Sequence, residues 1–323
     1  MADQGSEISD VTAVFFPYIV ERSKKVKESG GRFVYYTTAE VATRILMSSE
    51  MWMRNALLMN DFGEVRHGFN CLDYALKGRC GEILAEALNL PFPGLYEEVK
   101  AMLNDHSFLI GAETYMTCLS EHLSEEDQRG RLSMWRAYGG TAGVAIVMNG
   151  DVMFSSSDAL RAYSSPVFYG DPDAFAAEFM KTATNLRKNP QLLTTLGRDD
   201  LKSTVFEMLR FAVLCTKHPG FHEEREWRVI ASPRLNPSSR LIQSVELVRG
   251  IPQIVLKIKL ENVPEEGLVG LAPPELFDRI IIGPSEFPLP MYQAFYELLT
   301  RLGVSDPQAK VFVSDIPLRQ RRS

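Results

Sequence analysis

The sequence predicts a mixed α+β protein, and three observations support that prediction. Short runs typical of strands are interleaved along the chain with longer runs spaced for helices. A length of 323 residues allows one large or two ordinary domains with a sizeable core. The composition, 45% hydrophobic and 24% charged, is that of a globular protein, and no fixed-period repeat is present. We therefore expect a mixed core rather than a repeat array.

Charge and composition argue against several classes of protein. The net charge of −6 disfavours a protein that holds nucleic acid by a broad basic surface. The polar N-terminus lacks the pattern of a secretory signal, and no apolar run approaches the roughly 20 residues that span a bilayer. The four cysteines have no Cys-x-x-Cys spacing, which indicates neither disulfides nor zinc (Cys71, Cys80, Cys118, Cys215). We expect a cytoplasmic protein with reduced cysteines and no membrane or metal partner.

The N-terminal part of the chain predicts a helical arm over residues 1–30 and then a strand at residues 32–36. Thr37 and Glu40 have the spacing of a capping box, so a helix is expected to begin there. This junction brings Tyr36, Thr37 and free backbone N–H groups to one point, which suits a polar ligand. The alternative is that Tyr36 packs in the core.

A second strand is predicted at residues 50–54, followed by a loop that contains Asn60 and Asp61. Both residue types favour a turn, and both side chains could also line a site. Residues 64–110 have helical spacing and are expected to form a first helical insertion.

The middle of the chain carries Ser120, at the end of a strand predicted over residues 114–120, and an aromatic pair. Trp135 and Tyr138 are three residues apart, so on a helical turn they share a face and could sandwich a planar ring. The alternative is that the pair fills the core. An apolar strand is predicted next, over residues 142–148.

A second helical insertion, residues 171–218, leads to the stretch that carries the functional hypothesis. Residues 226–231 alternate polar and apolar positions, which predicts a strand. The alternation, extended backwards, places Glu224, Glu226 and Arg228 on one face. Two adjacent carboxylates raise at least one pKa unless a cation compensates, and Arg228 is the candidate cation. Such a pair can hold the hydroxyls of a ribose, whereas the alternative is a solvated edge strand.

The remaining segments complete the expected sheet. The pattern predicts one helix and three strands (helix 291–302; strands 253–260, 277–283, 310–313). The α+β domain is therefore expected to span residues 31–315, followed by a basic tail at residues 316–323.

The order of these motifs resembles a widespread bacterial family of proteins of unknown function, over roughly residues 32–285. The shared pattern is Tyr-Tyr-Thr, Asn-Asp-x-x-Glu, Ser-Glu, Met-Trp-x-x-Tyr, Glu-x-Glu-Trp-Arg and Ile-Ile-Gly (beginning at residues 35, 60, 120, 134, 224 and 281). That family is similar, in motif order, to ADP-ribosyltransferases. The likeness rests on an aromatic or basic residue on the first strand, a Ser or Tyr in the middle and a late Glu-x-Glu. Arg32 comes before the apolar part of the first strand, and Tyr35 and Tyr36 occupy its end.

The likeness to ADP-ribosyltransferases implies a split, bent β core with NAD in a central cleft. Glu226 would hold the ribose 2′-hydroxyl and stabilise the oxocarbenium-like state, and Glu224 would orient or deprotonate the acceptor. The other implied NAD contacts come from the first strand, the middle strand, the aromatic pair and their neighbours (Tyr36, Thr37, Ser120, Trp135, Tyr138, Arg228, Asn60, Asp61).

The expected function is therefore an NAD-dependent ADP-ribosyltransferase or NAD glycohydrolase. A carboxylate aimed at a ribose that gains positive charge stabilises the transition state more than the ground state. A second carboxylate can serve the incoming group, as in glycoside chemistry. NAD is then a substrate, the acceptor is a protein or a nucleic acid, and a homodimer is possible. Bacteria use this chemistry in toxins and phage-defence effectors.

Two other classes of function fit the same residues. Asp61, Glu64, Glu224 and Glu226 could converge on Mg²⁺ or Mn²⁺ in a nuclease-like site, because hard oxygen ligands suit those ions. Alternatively, Arg228 could neutralise the glutamates structurally in a non-catalytic sensor or interaction module.

Overall fold

The computed structural model describes residues 10–59 and 63–317 and confirms a mixed α+β architecture. Asn60, Asp61 and the end of the basic tail, from residue 318, lie outside the described residues. The chain divides into two compact units. The first unit comprises the chain up to residue 24 with residues 55–114 and 165–222, and the second comprises residues 25–54, 115–164 and 223 onward.

The described helices and strands follow one another in mixed order. The helices are α1 (Asp10–Phe15), α2 (Pro17–Glu28), α3 (Ala39–Ser48), α4 (Glu64–Lys77), α5 (Arg79–Asn89), α6 (Leu95–Asp105), α7 (Ser107–Ala112), α8 (Leu132–Tyr138), α9 (Pro172–Lys188), α10 (Pro190–Leu196), α11 (Arg198–Leu214), α12 (Pro273–Leu276) and α13 (Pro288–Arg301). The strands are β1 (Arg32–Thr38), β2 (Glu50–Asn55), β3 (Tyr115–His122), β4 (Gly143–Asn149), β5 (Ala162–Pro166), β6 (Phe168–Tyr169), β7 (Thr216–Lys217), β8 (Glu226–Ala231), β9 (Ile242–Val248), β10 (Ile251–Lys259), β11 (Phe277–Ile282) and β12 (Val311–Val313).

The first unit is mainly helical and contains both stretches that were predicted as helical insertions. Helix α4 packs on α5, α9 and α11, with its apolar face inward. Gly68 permits the close approach of α4 to α11, since a Cβ there would lie 2.0 Å from the carbonyl oxygen of Val213. Strands β6 and β7 form a short parallel pair. Beside it, Lys217 Nζ lies 2.7 Å from Glu64 Oε1, with both side chains largely buried.

The second unit is built on a ten-stranded mixed sheet. The strand order is β12-β11-β4-β1-β3-β2-β10-β9, and β8 pairs with both β3 and β5. Strands β11 and β12 run parallel, whereas the pairs β1–β3, β1–β4, β4–β11, β3–β8, β2–β10 and β9–β10 are antiparallel. Helices α3, α8, α12 and α13 pack on this sheet or on its flanking elements.

The sheet divides at β3, which has three neighbouring strands. Strand β8 occupies one edge of β3 from Tyr115 to Ser120. Strand β1 pairs with the opposite edge at residues 120–122, and β2 is also a neighbour of β3. Because β8 occupies one edge over residues 115–120, β1 and β2 lie along the other edge of β3.

The two faces of the sheet carry separate cores. On one face, Phe33, Leu119 and Trp227 belong to a large cluster that continues through β4, β10, β11 and α13. On the opposite face, α8 covers a smaller cluster (Val34, Tyr36, Met134, Trp135, Ala145, Val147, Ile281). Alternation along β1 explains why consecutive residues, Phe33 and Val34, enter different cores.

Candidate functional site

The three strands that carry the predicted motifs lie side by side in the second unit. Ser120 on β3 faces Val34 on β1 across one edge and Glu226 on β8 across the other. Residues directly opposite in antiparallel strands share a face, so Glu226 and Ser120 point to the same side of the sheet. Two residues away along the same strands, Cys118 on β3 is opposite Arg228 on β8, and both side chains lie on that same side of the sheet.

Glu226 and Arg228 form a buried ion pair on β8. Arg228 Nε lies 2.8 Å from Glu226 Oε1, and the two side chains are 2% and 7% exposed. A buried carboxylate is costly to ionise unless a cation and hydrogen bonds compensate, and the guanidinium does so here. Arg228 therefore pairs with Glu226 on the strand, but not with two adjacent strand carboxylates as the sequence suggested, because Glu224 precedes the strand. The solvated edge strand does not fit, because β8 is buried and has a strand on each side.

Glu224 lies outside the strand, contrary to the prediction that it shares a strand face with Glu226. It ends a short 3₁₀ segment, Pro219–Glu224, and Arg225 follows with a φ of 44°. That left-handed residue turns the chain before β8 begins, so the strand alternation cannot be extended backwards. The Glu224 carboxylate instead accepts a hydrogen bond from Tyr138 Oη at 3.0 Å, which places it beside the end of α8.

A buried cluster of charged residues fixes the turn at Arg225. Glu126 Oε1 lies 2.8 Å from Arg131 Nε and 2.7 Å from Arg225 Nη2. Arg131 also donates to the backbone carbonyls of Glu121 and Glu223. Burial would raise the pKa of the Glu126 carboxyl, but the two arginines outweigh it and the pKa lies below its usual value. We call Glu126, Arg131 and Arg225 the arginine clamp.

Tyr36 and Trp135 lie in the core beneath α8. Tyr36 is 6% exposed, and its hydroxyl accepts a hydrogen bond from the Arg131 backbone N–H at 2.8 Å. Burial raises the pKa of this phenol. Trp135 packs edge-on against Tyr36, with ring centroids 4.9 Å apart, and donates to the carbonyl of Arg129. For both residues the structure corresponds to the core alternative rather than to a ligand-facing position.

Glycines enclose the Trp135 ring on several sides. A Cβ at Gly130 would lie 2.6 Å from the ring, and one at Gly283 would lie 2.9 Å from it. Gly130 also has a φ of 66°, so a larger residue there would be strained as well as crowded. The glycine of the Ile-Ile-Gly motif, Gly283, is therefore explained by the packing of an indole.

The N-cap of α3 lies one residue later in the chain than predicted. Thr38, not Thr37, is the N-cap of α3, since its hydroxyl accepts a hydrogen bond from the Val41 N–H. Thr37 is a buried residue within β1. Arg32 is the first residue of β1, where the strand predicted at residues 32–36 begins, and it pairs with His122 of β3.

Sequence reasoning missed the arginine clamp and the role of Glu121. The Trp227 indole N–H donates to Glu121 Oε1 at 2.8 Å, which ties β8 to β3 through their core-facing side. Glu126 lies in a charged stretch of the sequence, residues 125–129, and Arg131 follows it. No local spacing distinguishes a clamp from a solvated loop, because the contact that completes it joins Glu126 to Arg225, 99 positions away.

A metal-binding cluster and a membrane-spanning helix are both absent from the part of the chain that the structure describes. Between residues 10–59 and 63–317, no group of three or more His, Cys, Asp or Glu side chains is arranged to hold a metal ion. Asp61, one of the four carboxylates of the nuclease alternative, lies outside these ranges. Within the same ranges, no helix combines the length and apolar character needed to cross a membrane.

Part of the chain is similar to a known family. No curated protein and no solved structure matches the chain significantly. Residues 134–229, which run from α8 into β8 and so include Tyr138, Glu224 and Glu226, match a family model described as protein of unknown function (DUF2971).

Proposed function

We propose that this protein is an NAD-dependent ADP-ribosyltransferase or NAD glycohydrolase in which Glu226 is the catalytic carboxylate. The observation that carries the proposal is the register of three strands: Val34, Ser120 and Glu226 lie side by side across β1, β3 and β8. The resemblance drawn from the sequence requires its three motifs to meet on neighbouring strands. Their separation along the chain, nearly 200 residues from β1 to β8, makes this meeting a stringent requirement.

The arrangement around Glu226 suits the breaking of a ribosyl bond. Arg228 stabilises the ionised form of Glu226. The fixed negative charge of Glu226 then stabilises the positive charge that develops on the ribose as nicotinamide leaves. Glu224, held by Tyr138 just before β8, is placed to orient or deprotonate an acceptor. In a transferase that acceptor is a macromolecule, and in a glycohydrolase it is water. On this proposal the protein could act as a toxin or a phage-defence effector.

The test is incubation of the full chain with NAD, followed by chromatography for free nicotinamide. We expect release by the parent protein and a loss of at least about 100-fold in Glu226→Gln, since the variant lacks the charge that acts in the transition state. Glu286→Gln, an exposed glutamate on the loop before α13, is the matched control and should keep the parent rate. An unchanged rate in Glu226→Gln would sink the assignment.

A second candidate is a non-catalytic sensor or interaction module, and the buried Glu226–Arg228 pair favours it. Removal of one partner of a buried ion pair typically costs about 3–5 kcal/mol. A structural pair therefore predicts a large loss of stability in Glu226→Gln, together with no nicotinamide release by any variant. Urea unfolding of the same proteins separates the candidates, because a catalytic Glu226 removes turnover in a variant that is still folded.

A further inference from the structure

A half-buried polar face lies on the β2, β9 and β10 part of the sheet. Glu50, Trp52 and Arg54 alternate along β2, whereas the residues between them, Met51 and Met53, enter the large core. Lys257 on β10 is directly opposite Trp52. The polar side chains of β2 therefore share one face with Lys257.

Helix α3 adds a cation to this face. The guanidinium carbon of Arg44 lies 3.5 Å from the centroid of the Trp52 ring, and Lys257 Nζ lies 5.4 Å from the same centroid. Lys257 is also bound by acidic groups, with its Nζ 2.6 Å from Glu246 Oε1 and 3.7 Å from Glu50 Oε2. The two carboxylates are thus already engaged by the lysine.

A second arginine lies on the same face. Arg54 alternates with Trp52 along β2, so the two side chains point to the same side of the sheet. Burial lowers the pKa of Arg54, and the charge of Arg249, in the turn between β9 and β10, lowers it further. The Arg54 guanidinium is therefore partly desolvated and within electrostatic reach of another cation.

Two hydrogen-bond donors on this face have no acceptor. The Nε of Arg44 and the Nε1 of Trp52 are both buried from solvent and have no hydrogen-bond partner. A buried donor without an acceptor costs free energy, and its usual explanation is a water, an ion or a ligand that satisfies it. The stacking of Arg44 on Trp52 keeps both donors at one place.

We propose that this face, which we call the β2–α3 face, is a binding site for a phosphate anion. A guanidinium presents donors in a planar fork that matches phosphate oxygens, and charge-assisted hydrogen bonds of this type are strong. The anion would bind Arg44 and Arg54 and accept a hydrogen bond from the Trp52 indole N–H. On the function proposed above, on which this identification rests, the anion is the diphosphate of NAD.

Calorimetric titration with ADP and with inorganic pyrophosphate tests the site without any reaction. Both probes should bind the parent protein, and Arg44→Gln and Arg54→Gln should each weaken binding by about tenfold or more. Arg301→Gln, in which an exposed arginine paired with Glu297 is changed on α13, is the matched control and should bind as the parent does. Thermal unfolding of each variant establishes that it is folded.

Several outcomes would overturn the site. They are failure of the parent to bind either probe, equal affinity in the parent and in both β2–α3 variants, or an equal loss in Arg301→Gln. Tighter binding of a single-stranded oligonucleotide than of ADP would assign the face to nucleic acid instead. ADP and pyrophosphate carry no nicotinamide ribose, so their binding is measured independently of nicotinamide release, and a failure of the proposed reaction and a failure of the anion site give different results.

Discussion

The hydroxyl of Tyr138 links an aromatic residue of α8 to the carboxylate that stands just before β8. The ring is half-buried, and Tyr138 Oη donates to Glu224 Oε1 at 3.0 Å. The sequence spacing had suggested that Trp135 and Tyr138 act as a pair, but the two side chains serve different purposes. Trp135 fills the core, whereas Tyr138 reaches the segment that carries the candidate catalytic groups.

Tyr138→Phe should reduce transfer to an acceptor more than it reduces hydrolysis of NAD. A hydrogen bond to a charged group contributes about 1.5–3 kcal/mol, so a loss of about tenfold or more is expected in transfer. Initial rates with and without acceptor measure the difference. Tyr292→Phe is a suitable control, because it removes a hydroxyl that donates to the carbonyl of Gln308 at 3.3 Å. Equal effects of the two changes would remove Tyr138 from the mechanism.

At the scale of secondary structure, the arginine clamp determines where β8 begins. Arg225 has a left-handed φ, and Glu126 holds its guanidinium while Arg131 holds the carbonyl of Glu223. Backbone strain of this kind costs on the order of 1–3 kcal/mol and persists when the surroundings fix it. The clamp therefore stabilises the turn that separates Glu224 from Glu226.

Arg131→Gln should loosen this turn and destabilise the protein by about 3–5 kcal/mol, because Glu126 loses a buried cationic partner and the carbonyls of Glu121 and Glu223 lose a donor. Arg131→Lys should not restore stability, since an ammonium cannot reproduce the planar fork. Arg129→Gln, two residues away, provides the control, as its ion pair with Asp315 is exposed and such pairs contribute little. Urea unfolding and amide exchange at residues 225–226 test this, and an unaltered Arg131→Gln protein would contradict it.

The sequence predicted the elements whose formation depends on patterns among neighbouring residues. The strand at residues 226–231 and the helix from Thr38 follow from alternation and capping, and both were expected to within a residue or two. Strand β9 was not predicted. Its apolar residues Val245 and Leu247 are 71% and 67% exposed, whereas the apolar residues of a strand usually lie on its buried face. The displacement of Glu224 and the arginine clamp could not be predicted, since a positive φ and long-range ion pairs leave no periodic signal.

At the scale of the whole molecule, several buried charged groups lie where β1 begins and β3 ends. Arg32 pairs with Asp127 at 2.8 Å and with Asp278 at 3.2 Å, and His122 Nε2 lies 2.9 Å from Asp127 Oδ1. Burial lowers the pKa of His122. Burial alone would raise the pKa of Asp278, but Arg279 and Arg32 outweigh it and the pKa is lowered. The charge state of this region therefore couples folding to pH.

Stability should fall in two stages as the pH decreases. The unfolded chain protonates His122 near its ordinary pKa of 6.5, whereas the folded chain resists protonation, so stability decreases from about pH 6.5 downward. Glu126 and Asp278 have folded pKa values below the ordinary 4.5 and 3.8, so their ionised carboxylates stabilise the fold above the ordinary values. This stabilisation is lost as the pH falls through the lower pKa values of the folded state. Urea unfolding between pH 7.5 and pH 3 measures both stages. His122→Gln should flatten the first stage and retain the second, because it removes the imidazole and leaves both carboxylates in place. If the free energy of unfolding changes equally between pH 7.5 and 5.5 in the parent and in His122→Gln, His122 does not couple folding to pH.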